Sequence, residues 1–237
     1  MTGGARAPRR QTRVSCLETY PMTDGIGTSR PLQNRVLPTG EIVAKPARGR
    51  FTGNRGILHR PDGTLGVARW RHPHWIICTL THPRGRYHGP MPARGWTALF
   101  FLDEAVALAA GHRPGGYCRR AEYRARREAW AAATGARPDR TAMDGALHRA
   151  RVTRRRAQRR HEAALETLPD GAFVGRDDAA WLVLGRHLLR FGSAGYGPAV
   201  PREAGPVEVL TPAPSLAVLG QGYRPDLHPS ALRPGRT

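Results

Sequence analysis

The sequence predicts an α+β fold: a small antiparallel β region, three helices at about 103–110, 117–133 and 141–167, and a second small antiparallel β region. Three observations carry this. Short runs of β-branched and aromatic residues gather at 41–82 and again at 172–210. The stretch between them has helix caps and helical spacing instead. Turn signals built on Gly, Pro and Asp, such as Pro61-Asp62-Gly63 and Pro169-Asp170-Gly171, separate the runs. The expected organisation is a disordered N-terminal segment at 1–38, one α+β domain at 39–223 and a flexible tail at 224–237.

Residues 1–38 are rich in Arg, Pro, Gly and Thr and have no apolar period. Arg6, Arg9, Arg10 and Arg13 lack the apolar core of a secretory signal, and Pro8 breaks a transit-type helix. Met22 offers a second translation start, which we favour over a basic arm. Strands are then expected at 41–44, 65–70, 75–82 and 86–88. The run Trp75-Ile76-Ile77-Cys78-Thr79-Leu80 is the most strand-like of them. Thr52-Gly53-Asn54-Arg55-Gly56 reads as a hairpin turn needing positive φ, or as a nest of amides that holds an anion with Arg55 as counter-charge.

Asp103 caps the first helix, Gly111 supplies its left-handed stop and Pro114 prevents resumption. The second helix places Tyr123 and Trp130 on one face. In the third, Thr141 with Asp144 resembles a capping box, and Met143, Leu147, Ala150, Ala157, Ala164 and Leu168 form a thin apolar stripe. Strands follow at 172–174, 181–184, 187–191 and 207–210, with Gly185-Arg186 as a tight turn, and a short helix at 215–219.

Composition excludes several classes. No apolar run approaches the roughly 20 residues of a membrane helix. Three cysteines (Cys16, Cys78, Cys118) cannot make a disulfide framework. Leu, Ile, Val and Phe total 43 of 237 residues, low enough at this net charge to suggest disorder. Capped helices and five tryptophans between Gly40 and Tyr223 argue against disorder throughout that span.

The formal net charge is +20, from 38 Lys+Arg against 18 Asp+Glu, and Lys45 is the single lysine. The arginine preference fits a GC-rich genome; the excess over acids needs another reason. It is uneven: residues 1–170 carry 31 cations and 13 acids, residues 171–237 only 7 and 5. Arg149, Arg151, Arg154, Arg155, Arg156, Arg159 and Arg160 form a run without an acid, which repels itself on a helix. An external polyanion would relieve it. The expected nucleic-acid face is therefore Arg149, Arg151, Arg155, Arg156, Arg159 and Arg160, extended by Arg119, Arg120 and Arg124, with Tyr117 or Tyr123 stacking on bases.

A zinc site would draw on Cys78, Cys118, His59 and His112, the borderline and soft ligands near element ends, although no C-x₂-C pair announces one. Acid–base chemistry has fewer resources: Glu41, His59, Asp62 and His74 are the available groups. No G-x-S-x-G, H-E-x-x-H or phosphate-loop motif occurs.

One segment carries a family likeness. Leu99-Phe100-Phe101-Leu102, the Ala-rich stretch 103–110 and Gly111-His112-Arg113-Pro114-Gly115-Gly116-Tyr117-Cys118 resemble the end of the metal-binding domain of Ada-type DNA repair proteins. That domain has an aromatic strand, a short helix and A-G-x-R-P-C-x-x-C. Cys118 falls on a ligand position and Gly115 stands at the preceding cysteine's; Leu58-His59-Arg60-Pro61-Asp62 echoes an earlier ligand region. The span 40–228 also resembles an uncharacterised bacterial family with the landmarks Thr52–Gly56, Gly111–Pro114, Leu168–Gly171 and Val209–Pro212. The likeness over 40–228 implies a fold and no activity, and the Ada-type segment implies DNA as partner and zinc as the cofactor; the expectation from the residues is no cofactor, with zinc the alternative. The expectation is a cytoplasmic nucleic-acid-binding protein with no membrane partner. The alternatives are a metal-dependent nuclease or hydrolase, and an interaction module.

Overall fold

The computed structural model describes residues 31–81 and 96–232. The chain is α+β, with two six-stranded sheets and four α-helices among the described residues. The first sheet comprises β1 (Gln33–Val36), β2 (Ile42–Ala44), β3 (Phe51–Asn54), β4 (Ile76–Thr79), β5 (Leu99–Phe101) and β6 (Arg113–Pro114), in the order β2-β1-β5-β3-β4-β6. It is mixed, not antiparallel as expected: β1 runs parallel to β5, and β4 to β6. Those neighbours are far apart in sequence, so no local turn announces them. No helix among the described residues is long and apolar enough to cross a membrane.

Between the sheets lies α1 (Glu104–Ala109), all six residues buried. Its cap is as expected, Asp103 Oδ1 accepting from the Val106 amide at 3.0 Å. α2 (Arg120–Thr134) ends on Gly135 in the left-handed region, φ 73°. α3 (Arg140–Arg151) is less than half the helix expected at 141–167. Its cap is Asp139, which accepts from Ala142 N at 2.7 Å, and Asp144 is a buried residue of the helix body. Beyond Arg151 the arginine run has helix propensity but little apolar surface to bury, and its like charges weaken a helix only slightly, so tertiary contacts set its path. The chain instead makes a narrow loop closed by a Val152–Gln158 bridge, with Arg156 at φ 64°.

The second sheet is antiparallel throughout: β7 (His161–Ala164), β8 (Phe173–Arg176), β9 (Ala179–Leu184), β10 (His187–Gly192), β11 (Gly195–Pro201) and β12 (Pro206–Val209), in the order β11-β10-β9-β8-β12-β7. Alternation explains its apolar runs. Phe173, Leu182 and Leu189 face a core shared with α1 and the first sheet. Their neighbours Val174, Val183 and Leu188 face a second core with Trp130, Met143, Leu147 and α4 (Ala213–Gly220). Both faces are covered, so polar alternation is absent. β7 and β11 are the edges, where the prolines of β11 are tolerated.

Three further expectations change. The run 65–70 is no strand; it makes one bridge, Leu65 to His59, and turns so that Arg69 Nη1 donates to Gly66 O. Thr52–Asn54 is strand, not turn. Gly53 lies under the Phe101 ring, where a Cβ would meet Cε2 at 2.5 Å, and only Gly56 has positive φ. Strand β1 lies within 1–38, and residues 226–231 lie within the expected tail yet pack on the body: Asp226 N donates to Glu104 Oε2 and His228 N to Asp103 Oδ2. The expected strand at 86–88, Met22 and residues 233–237 lie outside the described residues.

Candidate nucleic-acid interface

Two arginines converge on one tryptophan. Trp75, entering β4, is buried, and the guanidinium carbons of Arg55 and Arg151 lie 4.0 and 3.7 Å from its ring. Arg55 follows β3, and Arg151 is the last residue of α3. Arg55 donates from Nε to His112 Nε2 (3.3 Å) and from Nη1 to Gly40 O (3.2 Å). Arg151 donates from Nη1 to Gly111 O and from Nη2 to Pro73 O, both 2.6 Å. Gly111 is required twice: its φ is 84°, and a Cβ there would stand 2.4 Å from Arg151 Cδ.

No carboxylate bonds to either guanidinium among the described residues, and Arg55 Nη2, Arg151 Nε and Gln158 Oε1 find no hydrogen-bond partner there. Burial, with Arg69 nearby, pushes Arg55 down to about 9; burial, then the charge of Arg55, pushes Arg151 down to about 8. A guanidinium keeps its proton in proteins. The pressure is therefore a standing cost of two poorly neutralised buried charges, which a bound anion would lower.

Both arginines line a cavity of about 380 Å³, together with Arg69, Arg155, Arg156 and Arg160. Glu41 is the one acid among its described lining residues; Trp70 forms another part of the wall. Gln158 anchors the loop that carries the last three arginines, its Nε2 lying within hydrogen-bonding distance of the carbonyls of Pro38, Ala109 and Leu210. Arg160 is partly neutralised by Glu208, at 2.8 Å.

The expected face thus divides. Arg151, Arg155, Arg156 and Arg160 share the cavity. Arg159 is exposed beside them, outside the lining, and donates to Val152 O. Arg149 is exposed on α3, and Arg120 and Arg124 on α2. Arg119 is not on a surface at all: it is buried and paired with Glu104 at 3.0 Å. Tyr117 borders a different, larger cavity of about 920 Å³. Arg55, Arg69, Trp70, Trp75 and Gln158 are additions that spacing does not reveal, although Arg55 in its Gly-flanked turn already suggested an anion's counter-charge.

The four expected metal ligands do not assemble. Cys78 and Cys118 both line this larger cavity and a smaller one of about 200 Å³ beside β3 and β4. His59 instead bonds Thr97 and the Gln33 carbonyl, and the His112 ring packs against Phe101 and Trp75. The described residues contain no group of three or more His, Cys, Asp or Glu placed to hold a metal. A Cβ on Gly115 would stand 3.1 Å from Cys78 Sγ, so glycine there accommodates the Cys78 thiol. That thiol is pushed up to about 12, first by burial and then by Cys118. The larger cavity also contains His74, whose Nδ1 lies 2.8 Å from buried Asp144.

Comparison with known protein families, with curated proteins and with solved structures gives no match. The site's chemistry rests on its own residues.

A pH dependence follows from His112. Burial first, then Arg55 and Arg151, holds its pKa well below 6.5. Below pH 6.5 the unfolded chain binds this proton and the folded chain does not, so stability falls as pH falls, by about 1.4 kcal/mol per pH unit for one proton. The loss stops once the folded imidazole itself titrates. Urea unfolding of the native chain and of His112→Phe between pH 5 and 7 should show a shallower slope in the variant.

Proposed function

We propose that the protein binds nucleic acid at the arginine-lined cavity between the α3–β7 loop and the first sheet. The observation that supports this is the set of six arginines around one cavity, two of them buried without a carboxylate partner among the described residues. Phosphates supply the missing negative charge, and charge-assisted hydrogen bonds to guanidinium are the strong ones. Trp70 on the wall offers a base a stacking surface. The surface arginines around the mouth add the salt-dependent, sequence-independent attraction of any basic surface for a polyanion.

Photocrosslinking with a thiothymidine-bearing single-stranded oligonucleotide tests the placement. Mass spectrometry should find adducts in the peptides spanning 69–75 and 151–160. Adducts confined to the α2 face around Arg120 and Arg124 would remove the cavity from the account.

A further inference from the structure

The cavity has a rim that a passing strand can touch and a floor that it cannot. Arg155 and Arg156 are exposed at the rim, whereas Arg55 and Arg151 are 2 % and 1 % exposed. Both nonetheless line the cavity. An internal phosphodiester continues into sugar on both sides and brings one negative charge. A terminal phosphomonoester has a single covalent tether, a charge of about −1.5 to −2 at pH 7 and three strong acceptor oxygens.

We infer that the floor formed by Arg55 and Arg151 is a pocket for the terminal phosphate of a nucleic-acid strand, an inference that rests on nucleic acid being the partner. Several features agree. Two guanidiniums without carboxylate partners among the described residues match a dianion better than a monoanion. Arg55 Nη2 and Arg151 Nε are donors without an acceptor, and Gln158 Oε1 is an acceptor without a donor among the described residues. Gln158 Oε1 suits an amino or hydroxyl group of the end nucleotide. The volume, about 380 Å³, is that of a small-ligand pocket, not of a groove for several nucleotides. Trp70, its ring centroid 5.8 Å from Trp75 and 5.5 Å from His148, stands on the wall where a terminal base can stack.

Fluorescence anisotropy on the full chain decides this with one single-stranded sequence made in three forms: 5′-phosphorylated, 3′-phosphorylated and with both ends hydroxyl. One phosphorylated form should bind at least about tenfold more tightly than the hydroxyl form. The corresponding nucleoside monophosphate should compete and the nucleoside should not. Equal affinity for all three forms would overturn the terminal pocket and leave nucleic-acid binding standing; no binding by any form would overturn both. Arg55→Met should abolish the preference, and a folded Arg55→Met that retains it would refute the placement. If that variant does not fold, the ratio measured on the unaltered chain is itself decisive. Arg155→Glu with Arg156→Glu should weaken all three forms while preserving the ratio.

Discussion

Replacing Asp144 by Ala should destabilise the protein by about 3–5 kcal/mol, the usual cost of orphaning a buried charge. Asp144 is fully buried and accepts from Arg113 Nε at 2.6 Å and from Nη2 at 2.7 Å. Arg113 is 1 % exposed; without the carboxylate it retains Nη1 to Pro114 O, 3.1 Å, and the Tyr123 ring at 5.4 Å. His74, half exposed on the same carboxylate, adds little. Arg113→Met combined with Asp144→Leu should recover most of the loss, because a well-packed apolar pair replaces a buried ion pair at little cost. Denaturant unfolding of the two single variants and the double variant checks this. A loss below about 1 kcal/mol for Asp144→Ala would mean that the pair is worth no more than a surface contact.

Asp144 matters to the candidate site because α3 carries both residues. Its buried positions are Met143, Asp144, Leu147 and Arg151. Asp144 fixes the helix to β6 through Arg113, and Arg151 then projects over Trp75 from the last turn. The pair stands seven residues apart on one helical face, in a stripe that apolar spacing traces only through Met143 and Leu147.

That face shows what the sequence makes legible and what it hides. The first helix with its Asp103 cap and Gly111 stop, the Gly185 turn and most strands of the second sheet follow from local chemistry. The length of the third helix does not. An arginine run has good helix propensity, and nothing local tells it from a helix until tertiary contacts are known: Gln158 bridges three carbonyls from distant segments. β11 was hidden because its prolines are acceptable only at a sheet edge, and edges are a property of topology.

The arginine richness of the candidate site is legible in the sequence, and its place in the fold is not. Charge asymmetry pointed to the arginine run, and Arg155, Arg156 and Arg160 do line the cavity. The buried pair was invisible because arginines are almost never fully buried, so composition assigns them all to the surface. Arg119 was misplaced for the same reason. The metal expectation paired residues by ligand chemistry, whereas packing sends His112 into the aromatic core and His59 to Thr97.

The second large effect falls on binding. Arg155→Glu with Arg156→Glu reverses two charges at the cavity mouth; among the described residues their side chains make one hydrogen bond, Arg156 to the Val67 carbonyl. Each phosphate contact to a single strand contributes about 0.7 to the slope of log affinity against log salt. Losing two contacts should flatten that slope by about 1.4 and weaken binding at least tenfold at low salt, with melting behaviour unchanged. Arg120→Glu with Arg124→Glu, an equal charge change on α2, should have a much smaller effect. The direct measurement is the anisotropy of a labelled single-stranded oligonucleotide across a salt series for the native chain and these two variants. A steep native slope, reduced only by the substitutions at the cavity mouth, is expected. Equal losses in both variants, or a native chain without salt-dependent binding, would contradict it.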